Sequence, residues 1–283
     1  MLTTGAPSNG LAAVSTAISG LFPGASSQNQ IAAIGICAPG PLNPKTGVII
    51  NPPNLTIWHN YPLAEEMRRL HNVPIRVDND ANAAALAEAK WGAGRGYPNV
   101  FYASVGTGIG TGIILDGSIF HGRTGAAGEG GHLGIDINGP VCNCGKRGCI
   151  ETLAAGPAIA RRARQKLGQN PNSVLWEMAG GDIQAVSSEM VGKAHALNDP
   201  VAKEVMRETL DLLAYWLGSI IDLMEPDAIV IGGGVSSLLA PYLGEIRERW
   251  RGACINPRPL DIPLLLAHYG EDAGIAGAAA LCE

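Results

Sequence analysis

Residues 128–151 read Gly-Glu-Gly-Gly-His-Leu-Gly-Ile-Asp-Ile-Asn-Gly-Pro-Val-Cys-Asn-Cys-Gly-Lys-Arg-Gly-Cys-Ile-Glu. Within this stretch His132 precedes three cysteines in a Cys-x-Cys-x4-Cys spacing: Cys142, Cys144 and Cys149. Three thiolates and one imidazole complete a tetrahedral shell for Zn²⁺, and four protein ligands leave the metal no open position for catalysis. The spacing therefore predicts a structural zinc site. The alternative is three buried cysteines and a core histidine.

A carboxylate lies near each end of the same stretch. Glu129 precedes the histidine by one turn, and Glu151 follows closely after the last cysteine. Glycines at 145 and 148 allow the tight turns that bring the sulfurs to one point. A bound metal would therefore hold both glutamates in fixed positions, although Glu151 also suits the first turn of a following helix.

The composition indicates a folded, soluble protein with two modest domains. The chain has 283 residues, of which 46% are apolar and 16% charged. The net charge is −5 and there is no basic run, which argues against nucleic-acid and anionic-membrane partners. No stretch approaches the ~18 apolar residues of a membrane span. Zinc-ligating thiols beside free cysteines at 37, 254 and 282 favour a reducing cytoplasm.

Short apolar runs near the start of the chain predict buried parallel strands at 31–38 and 73–77. The second run leads directly into Asp78-Asn79-Asp80-Ala81-Asn82 and then into a helix-forming segment at 83–91. Polar side chains thus lie at the carboxyl end of a parallel strand, where open α/β sheets bind ligands. The remaining predictions for this region are helices at 9–22 and 63–71, and a strand that opens into a loop within 47–58.

A different order of elements begins at residue 99. Strands are predicted at 100–105, 113–115 and 118–120, with the glycine-rich segment 106–112 after the first. Helices and buried strands then alternate. The helices are predicted at 157–168, 173–179, 187–197, 200–224 and 273–281, and the strands at 228–231 and 264–266. A meander followed by such alternation is the half-unit of the actin-like ATPase fold.

Glu-Gly-Gly-His followed by Cys-x-Cys-Gly-x-x-Gly-Cys-x-Glu resembles the signature of the ROK family (repressors, open reading frames, sugar kinases), and the pattern is closest to the zinc-containing glucokinases. The resemblance implies an α/β fold of the actin-like ATPase (ribonuclease H-like) type. It implies a small sugar-binding domain at 1–98 plus 271–283, and a large domain with the zinc site and nucleotide segments at 99–270. The last helix is expected to fold back on the first domain.

The same resemblance implies a sugar kinase with Asp80 as its general base. Phosphoryl transfer to a sugar hydroxyl needs a carboxylate to accept the hydroxyl proton, and an aspartate at a strand end can do this. In the family the aspartate of Asn-Asp-Ala-Asn has this role, and it matches Asp80. The family usually has glutamate at position 78, where this chain has Asp78. The alternative is helix capping by Asp78 or Asp80.

Sugar hydroxyls are bound by convergent carboxylates, amides and imidazoles. By resemblance, the residues expected to contact the sugar with Asp80 are Asn54, Asn79, Glu129, His132 and Glu151. His132 is expected to serve both the zinc and the sugar, and an ordinary Asx turn is the alternative for Asn54.

Two glycine segments correspond by resemblance to the ATP site. Gly106-Thr107-Gly108 lies in a turn between strands, where free N–H groups can form an anion-binding concavity. Gly233 and Gly234 follow a buried strand and correspond to the adenosine segment. The glycine spacing fits neither a Walker loop nor a Rossmann fingerprint. Mg²⁺ is expected to arrive with ATP, bound through phosphates and water.

One family motif has no match here. ROK kinases open with a strand and an Asp-x-Gly-Gly-Thr phosphate loop, so we expect an N-terminally truncated first domain and weak phosphorylation of a bound sugar. The strand at 31–38 is expected to have an unpaired edge. Either a subunit contact covers this edge, or the first domain is loosely ordered. The expected reaction is phosphorylation of a D-hexose by ATP, and the alternative is a ROK sugar sensor without turnover. The family also implies a homodimer or homotetramer.

Overall fold

The structure of the chain is a computed structural model that describes residues 6–21, 31–52 and 56–283. β1 (Ile34–Ala38) and β4 (Ile75–Asn79) pair in parallel and end at the same edge, which confirms the prediction from the two apolar runs. β2 (Leu42–Asn43) and β3 (Val48–Ile49) form a separate hairpin. Among the described strands β1 pairs with β4 alone, and the subunit contact expected at its other edge stays a prediction. The helices of this first part are α1 (Pro7–Gly20), α2 (Leu63–His71) and α3 (Asp80–Lys90).

The second part is built on a mixed sheet whose strands are β5 (Val100–Val105), β6 (Ile109–Leu115), β7 (Ser118–Ile119), β8 (Ala228–Gly232) and β9 (Leu264–Leu266). Their order in the sheet is β7-β6-β5-β8-β9. The meander β5-β6-β7 is antiparallel, as predicted, and β8 and β9 add to β5 in parallel. Its helices are α4 (Ile150–Ala154), α5 (Gly156–Leu167), α6 (Leu175–Met178), α7 (Ser188–Ala196), α8 (Pro200–Met224), α9 (Ser236–Leu239), α10 (Leu243–Arg249) and α11 (Ala273–Ala280).

Helix α8 forms the centre of the larger hydrophobic core. It begins where Pro200 follows the N-cap Asp199, whose side chain accepts a hydrogen bond from the Ala202 N–H. It ends at Glu225, which has a left-handed backbone conformation. The fully buried Trp216 on this helix packs edge-to-face on Phe101 of β5, so α8 covers one face of the sheet. None of the described helices has the length and apolar character needed to cross a bilayer.

Helix α11 returns to the first part of the chain and packs on α3 and β1, as the family resemblance predicted. Two glycines permit this close approach. A Cβ at Gly35 of β1 would lie 1.7 Å from the carbonyl oxygen of Ala278. A Cβ at Gly277 would lie 2.7 Å from the carbonyl carbon of Ala83. The last helix therefore contacts both the first strand and the helix that begins at Asp80.

Several element boundaries differ from the predicted ones. Helix α3 begins at Asp80 rather than at 83, because the Asn79 side chain caps it and the polar turn becomes its first turn. Strand β6 begins at Ile109 rather than at 113, so Gly112 lies in a strand. There a Cβ would lie 2.6 Å from the Ala85 Cβ, so the glycine lets α3 pack against the strand. The strand expected within 47–58 is only the short β3, and α4, α9 and α10 were not predicted.

Candidate active site

Asp78, Asn79 and Asp80 form the junction between β4 and α3 and make different contacts. Asp78 is buried, and its Oδ1 accepts hydrogen bonds from the Asn79 N–H (2.7 Å) and the Asn82 amide (3.0 Å). Its Oδ2 lies 2.6 Å from Nε2 of His121. The Asn79 Oδ1 accepts two N–H groups of the first turn of α3 and so is the helix cap. Because this oxygen is occupied, the Asn79 Nδ2 is the polar group of the side chain that remains, and it hydrogen-bonds the Asp80 carboxylate.

Asp80 lies on the wall shared by two cavities. One cavity, of about 180 Å³, is bordered by residues 40–42, which connect β1 to β2, by the β4–α3 junction at 78–80 and by the loop 124–129. The other, of about 410 Å³, is lined by Asp80 with Thr107, Glu129, His132 and Glu151. The carboxylate is accessible from this cleft, yet protein surrounds much of it. This burial raises the pKa of Asp80, and a hydrogen bond from the Ala81 N–H opposes the shift.

The turn Gly106-Thr107-Gly108 is held in place from the segment that follows the cysteines. The turn closes through a hydrogen bond from the Gly106 N–H to the Gly108 carbonyl (2.9 Å). Glu151, in the first turn of α4, accepts the Ile109 N–H at its Oε2 (2.9 Å). The Gly156 N–H donates to the Gly106 carbonyl (2.9 Å). Glu151 therefore contacts the glycine turn, lines the cavity and lies in the first turn of a helix, as the alternative predicted, whereas its contact with a sugar stays a prediction.

Glu129 precedes a short 3-10 turn, Gly130–His132, and two distant side chains hold this turn in place. The Thr111 hydroxyl accepts the Gly130 N–H (2.7 Å) and donates to the Gly128 carbonyl. The Trp216 indole N–H donates to the Gly130 carbonyl (3.1 Å). These contacts hold Glu129 toward the cavity. Sequence reasoning missed Thr111, Trp216 and His121, since none lies in a motif.

The four predicted zinc ligands converge on one point. Their ligand atoms all lie within 4.8 Å of one another. The Cys142 Sγ lies 3.6 Å from the His132 Nδ1, and the Cys144 and Cys149 Sγ atoms are 3.6 Å apart. Zn–S bonds of about 2.3 Å and Zn–N bonds of about 2.0 Å in a tetrahedron separate ligand atoms by about 3.5–3.8 Å, so the donor set fits this ion. Glycines 145 and 148 have positive φ angles, as predicted.

The second glycine segment lies next to the first. A Cβ at Gly106 would lie 3.7 Å from the Gly234 backbone nitrogen. Gly233 has a φ of +84° and packs on the end of β5, since a Cβ there would lie 2.5 Å from the Val105 carbonyl oxygen. Gly234 instead borders two cavities of about 560 and 520 Å³, whose common lining residues are Ser188, Glu189, Gly234 and Val235. Together they form one groove that reaches the Gly106 turn. Asn54 lies outside the described residues.

Comparison with known proteins identifies the family. The model of the ROK family matches residues 6–283. This chain belongs to the ROK family. The glucokinase of Thermotoga maritima is 33% identical over 250 residues, which cover 88% of this chain and 78% of that protein. A ROK chain of a different kind, the xylose repressor of Caldicellulosiruptor bescii, is 30% identical over 220 residues, covering 77% of this chain and 54% of the repressor.

A solved ROK structure has the same fold. The crystal structure of a ROK family glucokinase from Streptomyces griseus, in complex with glucose and AMPPNP, aligns with a TM-score of 0.82 and 32% identity. The alignment covers 99% of this chain and 89% of the Streptomyces chain. The ROK chain therefore has the actin-like ATPase fold expected from its sequence, and it is a homologue of sugar kinases.

Proposed function

We propose that this ROK protein transfers the γ-phosphoryl group of ATP to the 6-hydroxyl of a D-hexose, with glucose as the first candidate. The observation that carries the proposal is the position of Asp80 between a polar cavity and the glycine turn at 106–108. Phosphoryl transfer depends mainly on positioning and on charge stabilisation, and it requires a base beside the acceptor hydroxyl. Asp80 and Glu129 are the carboxylates that border both places, and Asp80 is the one that protein surrounds, since the Glu129 side chain is 63% exposed.

In this proposal Asp80 accepts the proton of the hexose hydroxyl. The protein around the carboxylate raises its pKa, which makes it a better proton acceptor than an aspartate of ordinary pKa. The Ala81 N–H donates to Oδ1 and the Asn79 side chain also bonds the carboxylate, and both contacts would orient it toward the substrate. The groups that would hold the sugar are the Asn79 Nδ2, Glu129, the His132 Nε2 and Glu151.

The groove beside Gly234 is proposed to bind ATP. The N–H groups of Thr107 and Gly108 would donate to the phosphates, whereas the Gly106 N–H closes the turn on the Gly108 carbonyl. The adenosine would lie along the groove between α7 and the start of α9. Mg²⁺ would enter with the nucleotide and supply charge neutralisation at the phosphates.

We further propose that His132, Cys142, Cys144 and Cys149 hold a structural Zn²⁺. The His132 Nδ1 faces Cys142, so its Nε2, which lies 4.0 Å from the Glu129 Oε2, is the ring nitrogen that would reach a sugar hydroxyl. With all four ligands from the protein, the metal would contribute folding free energy and no reaction step. The proposed domain division, 1–98 plus 271–283 and 99–270, would put the hexose and the nucleotide on either side of one cleft.

The alternative function is a sugar sensor that binds a hexose without turnover. The similarity to a xylose repressor supports this alternative, because the ROK family includes such proteins. Sensor and kinase share the sugar site and differ in whether bound ATP reacts.

The test is a coupled assay of purified protein with ATP against a panel of hexoses, including N-acetylated hexosamines. Asp80→Asn should lower turnover by ~10²–10⁴, the usual contribution of a general base. Hexose binding measured by calorimetry should persist in this variant. Asp116→Asn, the same change at the exposed β6–β7 turn, is the control and should leave turnover unchanged. Hexose binding without turnover in the wild type would support the sensor instead.

A further inference from the structure

We infer that His121 is a positioning residue of the phosphoryl-transfer site and acts through Asp78, an inference that rests on the proposed function. His121 belongs to none of the motifs in the sequence, and it lies in the segment that follows β7. Its Nε2 donates to the Asp78 Oδ2 at 2.6 Å, although the two residues lie on different parts of the chain. The His121 side chain is 30% exposed, whereas that of Asp78 is 5% exposed.

The Asp78 carboxylate is tied to the helix that carries the base. Its Oδ1 accepts the Asn79 N–H and the Asn82 side-chain amide, so this oxygen is occupied by α3 and its cap. Asn79 in turn caps the helix whose first residue is Asp80. The Oδ2 atom faces the other way and bonds to His121. One buried carboxylate thus joins the turn that holds Asp80 to the loop that starts at His121.

That loop forms the opposite wall of the smaller cavity. The lining includes its residues 124–129, which face the β1–β2 connection at 40–42 and the β4–α3 junction at 78–80. The loop contains three glycines with positive φ angles, at 122, 125 and 128. At these positions no Cβ restricts the backbone torsion angles. It is fixed at its far end by Thr111 and at its near end by His121. Without the His121 bond, the loop would keep only one of these two side-chain anchors.

The two oxygens of the Asp78 carboxylate therefore have different roles: Oδ1 orients the helix start, and Oδ2 holds His121. Loss of the His121 bond leaves the Asp78 contacts to Asn79 and Asn82, so the base stays oriented. The same loss releases the loop at 124–129, which would face the hexose and which ends at Glu129. The glycine turn at 106–108 is held separately by Glu151 and Gly156. Sugar affinity should therefore depend on His121, whereas ATP affinity should not.

The experiment compares His121→Phe, which keeps a ring and removes the donor, with His121→Gln, whose amide can replace Nε2. His268→Phe, at an exposed histidine outside both cavities, is the matched control. Steady-state kinetics with glucose and ATP are measured beside calorimetric titration with glucose alone and thermal melting. For His121→Phe we expect kcat/KM for glucose to fall by about 10- to 100-fold, mainly through KM, as for a lost hydrogen bond to a charged group.

The KM for ATP should change little, and His121→Gln should recover most of the loss. A double-mutant cycle with Asp78→Asn should show that the two losses are not additive, because His121 acts through that carboxylate. Equal losses for glucose and ATP, additive losses in the cycle, or an unimpaired His121→Phe protein would each overturn the inference. A wild type that binds glucose but does not turn over would reject the kinase function, and the calorimetric comparison would still test His121. A wild type that binds no hexose in the panel would reject both.

Discussion

Gly35→Ala should force α11 away from β1 and lower the melting temperature markedly. The backbone at Gly35 suits any L residue, so the effect is steric. The new Cβ would lie 1.7 Å from the Ala278 carbonyl oxygen and 2.7 Å from its carbon, where ordinary contacts are 3.4–4 Å. These are backbone atoms that cannot rotate aside, so β1 and α11 must separate. Such overpacking costs about 3 kcal/mol, the upper part of the usual range.

This cost corresponds to a fall of about 6–12 °C in melting temperature, at about 2–4 °C per kcal/mol for chains of this size class. Differential scanning calorimetry measures it. Gly274→Ala in α11 is the control, because a Cβ there would meet no described atom within 4 Å. It should leave the melting temperature unchanged or raise it slightly, since alanine is the better helix former. A Gly35→Ala protein that melts with the wild type would show that α11 does not pack on β1 as described.

Two further predictions concern the base and the zinc ligands. Burial raises the pKa of Asp80. As the pH is lowered, kcat/KM should therefore begin to fall at a higher pH than it would with a base of ordinary aspartate pKa. Because the pKa of Asp80 is raised in the folded state, its protonated form favours folding, and this contribution to stability is lost as pH rises through the folded-state pKa. Asp80→Asn should therefore melt above the wild type at neutral pH but not in acid. Cys144→Ala should lower both zinc content and melting temperature. Cys144 is exposed, so the change leaves no cavity, and Cys282→Ala should alter neither. Zinc-free protein with an unchanged melting temperature would contradict the proposed zinc site.

Local signals were sufficient for much of the fold. Helices α2 and α8 begin and end where the sequence predicted, because caps, proline and periodic apolar residues act within a few positions. The polar turn after β4 was predicted at the carboxyl end of a parallel strand, and it lies there. The four candidate zinc ligands converge as their spacing predicted, since short loops leave few other arrangements.

Contacts between distant segments were not predictable in the same way. The bond between His121 and Asp78, the bond from the Trp216 indole to the Gly130 carbonyl and the bond of Glu151 to the Ile109 N–H each join separate elements. Such pairs depend on how sheets and helices pack, and no local pattern marks them. Short helices such as α4 and α10 were missed because four to seven residues give too little periodicity to recognise.

The indole of Trp216 gives the protein an optical reporter in the core directly behind the candidate site. The ring is fully buried and packed edge-to-face on Phe101, and its N–H bonds the backbone between Glu129 and His132. Any event that shifts this backbone changes the asymmetric surroundings of one rigid chromophore. Near-ultraviolet circular dichroism can therefore follow metal loading or sugar binding without a coupled enzyme, and Trp216→Phe supplies the spectrum to subtract. The residue that anchors the backbone at Gly130 thereby allows the binding of a metal or a sugar to be observed directly in solution.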